Sequence, residues 1–119
     1  MSLDLTLLPV EFDDSNHGFS HSVLRVDQGG KWHDLLASVR RTDVPDKFHT
    51  YISRVNGESC YGDTQTTPYG ESLDAARVED ILRAIDKHQV DHEWSRRDAA
   101  VIAYLRAMDP RMKVALYWH

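Results

Sequence analysis

Leu3, Leu5 and Leu7 alternate with Asp4 and Thr6 before Leu8, and this period of two predicts a strand from Leu3 to Val10, stopped by Pro9. Asp13-Asp14-Ser15-Asn16-His17-Gly18 follows as a turn cluster. A second strand is expected over Phe19 to Val26, with Phe19, His21, Val23 and Arg25 on one face and Ser20, Ser22, Leu24 and Val26 on the other. Its alternation does not decide which face is buried. After the break at Asp27-Gln28-Gly29-Gly30, Trp32, Leu35, Leu36 and Val39 recur as on one face of a short helix, which Pro45 keeps from running on. Lys47 to Val55 alternates again and meets the turn signal Asn56-Gly57, so a third strand enters a hairpin or tight loop.

Two longer helices are expected later in the chain. The first lies between Ser72 and His88, with Val78, Ile81, Leu82 and Ile85 as its apolar stripe and Glu79 to Arg83 as an i,i+4 pair. The second runs from about Glu93 to Met108, where Trp94, Val101, Leu105 and Met108 share a face and Asp109-Pro110 ends it. Val114, Leu116 and Trp118 then alternate with Ala115, Tyr117 and His119 in a closing strand. These signals predict an α+β fold: an antiparallel or mixed sheet of four to five strands with two main helices packed on one face, plus a short helix after strand two. The two terminal strands, both apolar and alternating, are expected to be neighbours.

Between these elements lies one segment of unusual composition. Glu58 to Glu71 contains Tyr61-Gly62-Asp63-Thr64 and Thr67-Pro68-Tyr69-Gly70-Glu71, two Tyr-Gly pairs eight residues apart. Tyr and Thr favour extended backbone while Gly62, Pro68 and Gly70 oppose a long regular strand, so a bent, extended excursion over a surface is expected. Two readings stand side by side. The glycines allow tight bends while the tyrosines cover a core edge, or Tyr61, Asp63, Thr64, Thr67, Tyr69 and Glu71 form a surface for protein recognition.

Composition narrows the function classes. With 119 residues, 41% hydrophobic and 28% charged, residues 1–119 read as a single domain with one core. Cys60 is the only cysteine, so no internal disulfide forms, and neither a signal peptide nor a membrane span is expected; the cytoplasm is the expected location. The net charge of −5, with no basic run longer than Arg40-Arg41 or Arg96-Arg97, argues against nucleic acid, whose phosphate backbone calls for a concentrated basic face. DNA mimicry would call for a denser acidic balance.

Several constellations could carry chemistry. His17 with His21 and His88 with His92 have the four-residue spacing at which zinc sites begin, yet neither pair has the Glu of the protease signature, and solvated or capping histidines account for both. Cys60 would be a nucleophile if His49, across a hairpin, deprotonated it; a buried apolar filler explains the same residue. Asp13, Asp14 and Asp63 could join a carboxylate site, though acids in turns usually cap backbone groups. Gly29-Gly30 lacks either nucleotide fingerprint, and Trp32, Trp94 and Trp118 read as packing residues. No cofactor or metal is expected, and no catalytic residue is assigned.

Leu3-Asp4-Leu5-Thr6-Leu7-Leu8-Pro9, Phe19-Ser20-His21-Ser22-Val23-Leu24, the two Tyr-Gly blocks and Val114-Ala115-Leu116-Tyr117-Trp118 together resemble a family of small uncharacterised proteins encoded by tailed phages and prophages of Gram-negative bacteria. The likeness spans nearly the whole chain and is most specific in the last two blocks. It implies no activity and no catalytic residue. It does imply an accessory role in which the protein binds a bacterial host protein such as a defence nuclease, a polymerase or a regulator. The expected function is therefore a non-catalytic phage or prophage accessory protein that binds a host protein and inhibits a host defence system. The alternative is a small metal- or cysteine-dependent hydrolase.

Overall fold

The computed structural model describes residues 4–12, 18–20, 23–45, 48–55, 58–63, 72–88 and 93–119. The alternating first segment forms β1 (Leu5–Pro9) and the last forms β9 (Lys113–Trp118); they pair antiparallel with Leu5 opposite Trp118 and Pro9 opposite Val114. Pro9 does not end the pairing. The β9-facing bonds of this ladder fall on Asp4 and Val10, whose amides donate to the carbonyls of His119 and Lys113, so the amide that Pro9 lacks belongs to the opposite edge. There β4 (Leu24–Arg25) reaches only Thr6 and Leu7, and no ladder bond is lost.

Three elements beside these complete the frame. α1 (Gly29–Leu36) buries Trp32, Leu35 and Leu36, the stripe the spacing predicts. β5 (Thr42–Asp43) pairs antiparallel with β8 (Asp74–Arg77), which in turn pairs with β9, giving a five-stranded antiparallel sheet in the order β4-β1-β9-β8-β5. α2 (Val78–His88) and α3 (Arg96–Ala107) follow, and with α1 they cover one face of the sheet. The side-chain period of the strands divides the core accordingly. Leu5, Leu7, Val114 and Leu116 face the helices and meet Trp32, Ile81, Ile85 and Leu105, while Leu8, Val10 and Ala115 face away.

The far side of the sheet is where the expected architecture was incomplete. The predicted strand over Phe19 to Val26 is two short strands, β3 (Gly18–Ser20) and β4, which belong to different sheets. A second, four-stranded sheet runs β2-β3-β6-β7, built from β2 (Glu11–Phe12), β3, β6 (Phe48–Val55) and β7 (Glu58–Asp63), with β3 and β6 parallel. Phe48 is fully buried against Leu8, Val10, Leu73 and Ala115, so it joins this sheet to the back of the first.

Hydrogen bonds fix the ends of α1. The fully buried Asp98 carboxylate accepts from the amides of Asp27 (2.7 Å) and Gln28 (3.0 Å), immediately before α1. In return, Gln28 Oε1 accepts from the amide of Ser95 (3.0 Å), whose hydroxyl caps α3 by accepting from the Asp98 amide (3.2 Å). The N-termini of two helices thus cap each other, and both dipoles favour the buried carboxylate. At the other end, Arg41 Nη1 donates to the carbonyl of Leu36 (2.7 Å), which also accepts from the Val39 amide (3.1 Å), and to the carbonyl of Val39 (3.0 Å) in the turn beyond the helix.

Candidate functional site

Capping α1 with Arg41 brings the chain that follows it toward α2. The carbonyl bonds hold residues 38–41 in a turn, and Arg41 also lies 4.0 Å from Asp74 of β8. On the facing side, α2 begins where β8 ends. The amides of Val78 and Glu79 donate to the carbonyls of Met112 and Pro110 (2.9 Å each), so the first turn of α2 is anchored to the loop before β9. Val78, Ile81 and Ile85 point into the core, which leaves Glu79, Asp80, Arg83 and Lys87 along the flank facing the α1 turn.

Between these walls is a groove of about 760 Å³, lined by Ser38, Val39, Arg40, Arg41 and Thr42 on one side and by Arg77, Glu79, Asp80, Arg83, Ala84 and Lys87 on the other. Val39 and Ala84 are nearly fully buried and give it an apolar floor. Its volume falls within the ~300–1,000 Å³ usual for ligand clefts.

Charge sets this groove apart from the rest of the protein. Five of the fourteen Lys and Arg residues line it with two of the nineteen acids, so the groove is net +3 while the remaining sequence is net −8. Its five cations are not equally available. Arg41 is committed to the Leu36 and Val39 carbonyls, and Arg83 bonds Asp80 at 3.3 Å in an exposed i,i+3 pair. Arg40, Arg77 and Lys87 are exposed and make no ion pair among the described residues. Arg77 also sits opposite Lys113 in the β8–β9 register, a like-charge pair that no burial compensates. Uncompensated cations around a concave apolar floor can hold anionic groups.

The groove leaves no run of bases longer than Arg40-Arg41 in the sequence. Arg40 and Arg77 are far apart in sequence and meet only because β5 pairs with β8. One local signal was present: Arg83 and Lys87 lie one helical turn apart on the flank beside the apolar stripe. The expected Glu79 to Arg83 pair is instead Asp80 to Arg83.

The sequence-predicted site residues fall elsewhere. Tyr61 and Asp63 belong to β7, an outer strand of the second sheet, so the first part of the expected excursion is a strand that pairs antiparallel with β6, with a register shift between Thr50 and Ser53. Thr64, Thr67, Tyr69 and Glu71 lie outside the described residues, as do His17, His21 and His92. The β6–β7 register places His49 opposite Asp63 and Cys60 opposite Ser53, four positions further along β6, so the pairing does not set His49 and Cys60 across from each other. Among the described residues there is no group of three or more His, Cys, Asp or Glu that could hold a metal ion, and no helix long and apolar enough to cross a membrane.

Comparison with protein-family models, curated proteins and solved structures finds no match.

Proposed function

We propose that the protein works by binding another protein, with the cationic groove between the α1 turn and α2 as its contact surface. The observation that carries this reading is the convergence of Arg40, Arg77 and Lys87, exposed and without ion pairs among the described residues, around a buried apolar floor on an otherwise acidic chain. Separated like charges held together in this way oppose folding, which marks a place where binding, not stability, explains the residues. The resemblance of the terminal and Tyr-Gly blocks to phage and prophage proteins supports a bacterial host protein as the partner. A role in countering host defence follows from that setting.

The test is capture from bacterial lysate, with the partner identified by mass and rebound in purified form. Arg40→Glu/Arg77→Glu is expected to lose the partner while keeping the wild-type circular dichroism and melting profile. A folded double variant that retains the same purified partner at unchanged affinity refutes the groove as the contact surface. Tyr61→Ala/Tyr69→Ala serves as the matched comparison for the Tyr-Gly surface.

A further inference from the structure

Resting on the reading of the groove as a protein-contact surface, we infer that its occupant is an extended acidic segment of the partner, and not a phosphodiester strand. Spacing supports an extended chain. Arg83 and Lys87 are four residues apart on α2, about 6 Å along the axis, and alternate side chains of an extended peptide are about 6.6 Å apart. Carboxylates on every second residue can therefore meet successive cations of the helix. The Asp80–Arg83 bond is exposed on the arginine side, and such pairs contribute little, so an incoming carboxylate can exchange for Asp80.

Charge distribution decides between the two polyanions. Glu79 and Asp80 stand in the wall among the cations. A peptide can leave its uncharged residues beside them, whereas a phosphodiester carries a charge at every step and must bring some phosphates against them. The sequence outside the groove is net −8, so a long polyanion is repelled by the rest of the chain more than a short acidic segment is. Thr42, in the wall, belongs to β5, the outer strand of its sheet, and a peptide can bring main-chain groups to that edge that a nucleic acid lacks.

Fluorescence anisotropy with two labelled probes tests this on the whole protein: a short peptide with glutamate at alternate positions, and a single-stranded oligothymidylate of equal charge. The peptide is expected to bind more tightly than the oligonucleotide and to weaken tenfold or more with Arg40→Glu/Arg77→Glu. Its affinity should fall by less than tenfold between ~50 and ~200 mM salt, against about twentyfold for a single strand neutralised at three phosphates. Equal or tighter binding of the oligonucleotide overturns the inference, as does peptide binding indifferent to the double variant. No peptide binding also overturns it. If capture of the host partner still depends on Arg40 and Arg77 in that case, the protein-binding groove stands and only its acidic-segment ligand falls.

Discussion

Removing the Asp98 carboxylate is expected to be among the most damaging single changes outside the apolar core. The side chain is fully buried, and no cation pairs with it among the described residues. What holds it there is two amides, at 2.7 and 3.0 Å, and the N-terminal ends of α1 and α3. A hydrogen bond to a charged group contributes roughly 1.5–3 kcal/mol. Two of them give at most ~6 kcal/mol, which must be discounted because Asp27 is exposed and Gln28 half-buried, so their amides regain water when the carboxylate is gone. Asp98→Ala should therefore cost about 2–4 kcal/mol, a large share of the ~5–15 kcal/mol that holds a domain of this kind. Asp98→Asn keeps one acceptor oxygen and loses the charge that the two helix ends favour, and should cost about half as much.

Urea denaturation followed by circular dichroism measures both variants, with an unchanged slope expected because the surface exposed on unfolding is the same. Gln28→Ala, which removes the reciprocal acceptor for the Ser95 amide, should cost ~1 kcal/mol alone. Because the two side chains clamp the same pair of helix ends, the double variant should depart from additivity by ~0.5 kcal/mol or more. An Asp98→Ala loss below ~0.5 kcal/mol would refute the mutual cap as a stabilising device. An Asp98→Asn variant as stable as wild type would leave the hydrogen bonds standing and remove the charge–dipole part of the reasoning.

The two groove arginines that flank the α1 turn should separate by function. Arg41→Ala removes the two hydrogen bonds that Nη1 gives to the Leu36 and Val39 carbonyls and should lower stability by about 1–3 kcal/mol, whereas Arg40→Ala, at an exposed residue without an ion pair among the described residues, should change it by less than ~0.5 kcal/mol while weakening the acidic peptide. Chemical denaturation and anisotropy of the same two proteins check this, and the reverse ranking would refute the assignment. At alkaline pH, burial raises the Tyr117 pKa above its ordinary 10.0 in the folded state. Its neutral form is favoured there, so its contribution is fully present below pH ~10 and is lost as the pH rises through the folded value. The urea midpoint should fall more between pH ~9 and ~11 for the wild type than for Tyr117→Phe; parallel slopes would show that Tyr117 contributes nothing to the loss.

What the sequence made legible is what repeats along one element. The alternation of β1 and β9 identified both strands and their mutual pairing, because two apolar, alternating strands each need a neighbour that covers the same faces. The stripe of α2 was equally plain. β8 escaped because Asp74-Ala75-Ala76-Arg77 carries no β-branched or aromatic residue and runs directly into a helix. From Phe19 onward the alternation predicts one continuous strand because it does not report a change of sheet, and the second sheet is hidden with it. The groove was hidden for a different reason. Charge patterning along a chain detects runs, but the groove's cations come from the α1 turn, from β8 and from α2, and only the β5–β8 pairing brings them together.

The groove and the helix cap are linked through α1. Arg40, Arg77 and Lys87 repel one another, and on mobile loops they would spread until solvent and salt screened them. Here one wall is the turn after α1, a helix of eight residues, about 12 Å long, held at its start by Asp98 and at its end by Arg41. The other wall is α2, anchored through the Val78 and Glu79 amides. Loosening the distant Asp98 cap should therefore weaken binding at the groove without touching a groove residue, since a cation cluster that can relax apart must be reassembled when the ligand arrives. Anisotropy of the glutamate peptide with Asp98→Asn, at a temperature where the variant is still folded, measures this. A weakening of a few-fold is expected, and affinity equal to wild type would show that the groove's geometry does not depend on how α1 is held.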